Sequence, residues 1–240
     1  ARGTTRPVIE SRGLAALWDS SWNGQRARWS PAATAQTMAC DAFPSTEGQG
    51  AVAGGGLADL AQAAAEWSTV PFEAKGAVIS YGAPGPISAT CPQTPAVSSG
   101  QVVVAFDDTS MFGDAPVGCG AEGVLAIGAW LTDGTSHSWK GETYQTVKAG
   151  QVWVRRTSCA AYPSSLFYPV LLHGLGSTLG LSNSDVSRNA NDVDPTDDAA
   201  GVMVTTFGNP PPSGLGSDDI DGACWLYGKC GETTEPLQAA

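Results

Sequence analysis

The sequence predicts an α+β domain built around a mixed sheet. β-rich runs gather in the first two thirds of the chain and the principal helical pattern follows them, an order that favours segregated strands and helices over a regular βαβ alternation. With 240 residues, 42% of them hydrophobic, the chain can bury one sizeable core. Only 15% of residues are charged and 30 are glycine, the composition of an ordered, loop-rich domain.

Residues 1–25 are polar and irregular, so the domain is expected over 26–230, with a tail at 231–240. A short strand is expected around Arg28 to Ala35. Residues 56–68 (GLADLAQAAAEWS) place Leu57, Leu60, Ala61, Ala64 and Trp67 at helical spacing. Three β-rich runs follow, Lys75 to Tyr81, Gln101 to Phe106 and Val124 to Leu131, and Gln151 to Arg155 alternates as a half-buried strand does. Between them, Asp107, Asp108, Gly113, Asp114, Pro116, Gly118 and Gly120 are turn chemistry. Leu166 to Leu181 reads as a helix, with Ser165 as candidate N-cap, Pro169 near the first turn and Leu171, Leu172, Leu175 and Leu179 on the buried face. An acidic, Asn-rich loop runs from Asn183 to Ala200. After Met203 and the prolines 210–212, Ser217 to Tyr227 closes the domain as a short helix, its dipole complemented by Asp218 and Asp219.

A net charge of -11 argues against nucleic acid and anionic membrane surfaces as partners. Six scattered cysteines (Cys40, Cys91, Cys119, Cys159, Cys224, Cys230), with no CxxC pair, point to three disulfides in a secreted protein; all 15 pairings stay open. No apolar run reaches the roughly 20 residues of a membrane span. The start at Ala1, with no signal peptide, reads as that of a mature, processed product.

Residues 170–185, VLLHGLGSTLGLSNSD, resemble the zinc helix of metzincin proteases, HExxHxxGxxH, in its bacterial matrixin form. There, two histidines one helical turn apart and a third beyond a glycine bind zinc, and the glutamate serves as general base. His173 stands at the first ligand position, Gly174 at that of the glutamate, Ser177 at the second ligand and Asn183 at the third, while Leu175, Gly176, Leu179, Gly180 and Leu181 keep the frame. Trp67 with Ser68, the Val202 Met203 pair and SDDIDGACWLYG at 217–228 resemble further matrixin signatures, the second of them the Met-turn beneath the zinc.

The resemblance covers roughly 26–228. It implies a zincin-like domain with a mixed, mostly five-stranded sheet, a long helix behind it, a degenerate active-site helix under a cleft, and substrate along an edge strand near Val124 to Leu131. It implies no catalytic residue at the degenerate positions and no catalytic zinc. The chain has only two histidines, His137 and His173, so a three-histidine site is excluded by count, and losing a general base alone costs about 10²–10⁴ in rate. Glycine at 174 also costs about 1 kcal/mol against alanine inside a helix, and three simultaneous replacements fit drift after catalysis was lost.

His173 reads first as a hydrogen-bonded histidine, and His137, in the turn-like TDGTSHSW, as a surface residue. Structural calcium has two candidate oxygen sets, Asp107, Asp108, Asp114 and Glu122 in one, and Asp192, Asp194, Asp197 and Asp198 in the other. The expected function is a secreted pseudoprotease module that binds a protein or peptide in the former cleft. The alternatives are a divergent zinc protease using His173 and Asp185, and a self-assembling extracellular subunit.

Overall fold

The computed structural model of the chain describes residues 27–29, 36–40, 52–70, 85–86, 99–106, 125–139, 141–155, 162, 164–181, 201–203 and 211–227. Among these residues it is an α+β structure with a mixed, mostly parallel sheet of six strands. In chain order the elements are β1 (Ala27–Trp29), β2 (Gln36–Cys40), α1 (Leu57–Thr69), β3 (Gly85–Pro86), β4 (Gln101–Phe106), β5 (Ala126–Trp139), β6 (Glu142–Val154), α2 (Ser164–Leu179) and α3 (Ser217–Tyr227).

Strand β2 lies between β3 and β4, and β4 continues onto β6 with Val102 opposite Gly150 and Phe106 opposite Val154, all parallel. β5 runs antiparallel along the other edge of β6. β1 pairs with residues 145–147 of β6, and since β5 already occupies the far edge there, β1 must extend the β4 side. The register of β5 on β6 slips between Leu131 and Ser136. Gly134, at φ +80°, sits in this bulge, a conformation that a side chain would strain. Asp133 holds the bulge through bonds from the Thr135 N–H (3.0 Å) and hydroxyl (2.6 Å).

Several expectations are corrected here. The strand over 101–106 and the helix over 217–227 fall as read, and the early helix is displaced by one residue. Of the expected strand at 28–35, residues 28 and 29 fall in β1, and 30–35 lie outside the described residues. The runs at 124–131 and 151–155 are the inner ends of one long hairpin, so the expected five strands become six and the turn-like stretch holding His137 is strand. Alternation was masked because polar Asp133, Thr135, Ser136 and Ser138 cover the exposed outer half of β5. α2 starts at Ser164, which puts Ser165 inside the first turn and Pro169 within the helix. The expected strand at 75–81 and the segments 1–25, 107–124, 183–200 and 231–240 lie outside the described residues.

The core fills one face of the sheet. Val102, Val104, Val152 and Val154 point into it and meet Leu60, Ala63, Ala64 and Trp67 of α1 and Leu171, Leu172, Leu175 and Leu179 of α2. The alternate residues Val103, Ala105 and Trp153 are buried as well, so β4 and β6 read as near-continuous apolar runs, as parallel strands covered on both faces do. Each fully buried large side chain contributes about 1.5–3 kcal/mol, and Trp67 adds a bond from its indole N–H to the Leu172 carbonyl at 2.9 Å. α2 ends at Gly180, whose φ is +99°; a Cβ there would lie 2.7 Å from the Ala27 carbonyl oxygen. Among the described residues no helix is long and apolar enough to cross a membrane.

Candidate functional site

The residues singled out on the second helix come together with the turn at 201–203. His173 projects from α2, and its Nδ1 lies 2.8 Å from the Val202 carbonyl oxygen. A carbonyl only accepts, so Nδ1 carries the proton and Nε2 keeps its lone pair. Burial pulls the His173 pKa below its ordinary value, opposed by the bond to Val202, so the ring is neutral at physiological pH.

The turn is fixed from the far side by Asp219, only 2% exposed. Its carboxylate accepts the N–H groups of Val202 (2.7 Å), Met203 (3.0 Å) and Gly216 (2.8 Å). Burial raises the Asp219 pKa, against the lowering effect of those three donors. A Cβ on Gly201 would fall 2.2 Å from this carboxylate, so the close approach requires glycine. The expectation that Asp219 simply complements the helix dipole is corrected: it ties the first turn of α3 to the turn beneath α2. Sequence shows two adjacent aspartates and no local signal for which is buried.

The neighbours of His173 explain the glycines. A Cβ on Gly174 would lie 2.4 Å from Val152 Cγ1, and one on Gly176 would meet Met203 Sδ at 2.5 Å and the Trp67 ring at 2.8 Å. From the strand side, a Cβ on Gly128 would be 2.4 Å from the Gly174 carbonyl oxygen and 2.5 Å from Ser177 Cβ. The helix is therefore wedged between β5, β6 and Met203 at backbone contact distance. Replacement by drift leaves this fit unexplained; the glycines at 174 and 176 have a packing role.

Chemically the site is sparse. Position 174 has no side chain to serve as base, and the Ser177 hydroxyl donates to the His173 carbonyl one turn back, at 3.2 Å. Among the described positions 173, 174 and 177, His173 offers one imidazole nitrogen, which does not fit a three-ligand zinc centre. Among the described residues no group of three His, Cys, Asp or Glu side chains comes together. Asn183, Asp185 and both calcium sets (Asp107, Asp108, Asp114, Glu122; Asp192, Asp194, Asp197, Asp198) lie outside the described residues.

Beside the helix runs the inner half of β5. Leu125 to Trp130 are half-buried and Leu131 is 37% exposed. β6 pairs with one edge of this strand, and among the described residues no strand pairs with the other.

Sequence reasoning missed a second cluster. Arg28 is fully buried and donates from Nε to the Leu226 carbonyl at 2.8 Å. His137, read as a surface residue, is part-buried against it, with Nε2 3.3 Å from Arg28 Nη1. Arg28, His137, Trp139 and Tyr227 are too far apart in the chain for any local pattern to unite them. No protein-family model matches this chain, and no curated protein compared with it is significantly similar.

Proposed function

We propose that this chain is a secreted, non-catalytic module of matrixin-like metzincin type, a pseudoprotease that binds an extended peptide by strand addition along the inner half of β5. The observation that carries the reading is the α2 seat. A histidine is oriented by the carbonyl of the turn beneath it, with a methionine next in that turn, as the resemblance implies for a zinc helix over its Met-turn. Yet position 174 is filled by Val152, and the hydroxyl at 177 is satisfied by its own helix. Scaffold and donors are thus separable in this chain, and the scaffold is what stands.

Half-buried apolar residues on β5 beside that helix, with no strand on its far edge among the described residues, support the binding part of the reading, because strand addition draws affinity from backbone hydrogen bonds and specificity from alternate side chains. Three disulfides and an extracellular location belong to the same proposal.

Metal content tests it first. Protein equilibrated with zinc and calcium, desalted and measured by mass spectrometry is expected to hold no stoichiometric zinc that depends on His173. Near-stoichiometric zinc lost in His173→Ala would overturn the pseudoprotease reading. For the groove, a library of extended peptides is expected to include binders that slow amide exchange at 126–131; protection elsewhere only would refute the assigned edge.

A further inference from the structure

The outer half of β5 holds a feature that the proposed peptide groove does not use and that does not depend on it. Arg28 joins three elements. Its guanidinium carbon lies 4.0 Å from the ring centroid of Trp139 at the end of β5 and 5.1 Å from that of Tyr227 at the end of α3. Its Nε bonds to the Leu226 carbonyl at 2.8 Å. A guanidinium only donates, so the contact from Nη1 to His137 Nε2 at 3.3 Å requires a lone pair on Nε2. Nδ1 then carries the proton and donates to Thr146 Oγ1 at 3.0 Å.

We propose that the outer end of the β5–β6 hairpin, residues 136–144, is an acid-opened latch: neutral His137 holds it to buried Arg28, and protonated His137 releases it. Protonation removes the acceptor and sets a second cation 3.3 Å from the first, where partial burial leaves little water to screen the repulsion. Among the described residues, Arg28 faces His137 from β1, Thr146 and Tyr144 face it from β6, and Tyr227 approaches the same guanidinium from α3. Among the described carboxylates of this hairpin, Glu142 accepts from the Tyr144 hydroxyl at 3.0 Å and Asp133 pairs with Lys148.

Burial, and then the Arg28 charge, lower the His137 pKa from the ordinary 6.5. A depressed folded pKa means that the closed state binds fewer protons than the open one. Closure is therefore complete above about 6.5 and weakens as pH falls from there through the folded value. The hairpin end is the side that yields, because Arg28 is fully buried and held to α3, whereas Ser136 and Ser138 are exposed.

The chain's two histidines make the test direct. Proton NMR of the imidazoles, assigned with His173→Gln, is expected to show His137 titrating below 6.5. Amide exchange of 136–144, normalised to intrinsic rates, should rise by up to about tenfold per pH unit below about 6.5 in the native protein, and stay flat in His137→Gln. Titration of His137 at or above 6.5 overturns the latch whether or not the variant folds. An equal rise in both proteins overturns it too.

Discussion

Substituting Gly174 with alanine separates two physical accounts of α2. On helix propensity alone the change stabilises by about 1 kcal/mol, since alanine loses less backbone entropy than glycine. The structure predicts the opposite sign. The new Cβ would lie 2.4 Å from Val152 Cγ1 and 3.5 Å from Val152 Cβ and Cγ2, whereas carbon atoms in favourable contact lie about 3.5–4.0 Å apart. Val152 is fully buried and, being β-branched, stiff at χ1, so neither partner can turn aside. Overpacking of this kind costs about 1–3 kcal/mol, and a contact over 1 Å too short belongs at the upper end. The net expectation is destabilisation by about 1–2 kcal/mol, read as a lower urea midpoint with an unchanged slope.

Val152→Ala removes the clashing methyl, so the cost of Gly174→Ala should shrink or reverse in that background, giving a coupling of about 1–3 kcal/mol in a double-mutant cycle. Stabilisation by Gly174→Ala alone, or strict additivity of the two changes, would refute the wedge. The same geometry predicts that Gly174→Glu yields a less stable protein and no protease.

Two further outcomes follow from the frame of the site. Asp219→Asn sets an amide N–H₂ against at least one of three backbone donors and is expected to cost about 2–4 kcal/mol by urea titration; Asp219 also has a raised folded pKa, so its own contribution is largest at low pH and falls as pH rises from 3.8 through the folded value, which stability measured against pH in the native protein and the Asn variant would check. Trp67→Phe loses the bond to the Leu172 carbonyl and leaves a void beside Gly176, and calorimetry should show a loss of about 1–3 kcal/mol.

Local pattern carried some of this and geometry the rest. Leu60, Ala64 and Trp67 were legible as one face of a helix because a 3.6-residue period is a local property. The α2 frame was legible from its leucines and glycines, and His173 with it. The long hairpin was not, since Asp133 to Ser138 is polar on both faces and its strand character comes from pairing with Thr143 to Gln145, which no single-segment pattern encodes. Gly174 was not legible as a space-filling requirement, because Val152 lies 22 positions upstream in sequence. The Arg28 cluster depends on pairs 109 and 198 positions apart.

On the proposed pseudoprotease reading, the frame around α2 outlives the chemistry of its positions. The groups that frame α2 and the turn are Asp219, which ties the turn to α3 through three backbone donors, Trp67, which bonds from α1 to the Leu172 carbonyl, and the glycines that allow contact with Val152 and Met203. Of these, only Gly174 stands at a position that the resemblance assigns to the chemistry, that of the base. His173, at the first ligand position of the resemblance, serves the frame as well, through its Nδ1 bond to the Val202 carbonyl. On that reading, loss of the base and the second ligand removes no strut, and a side chain restored at position 174 meets Val152 as a steric barrier. The proposed role rests on binding along β5, whose far edge pairs with no strand among the described residues.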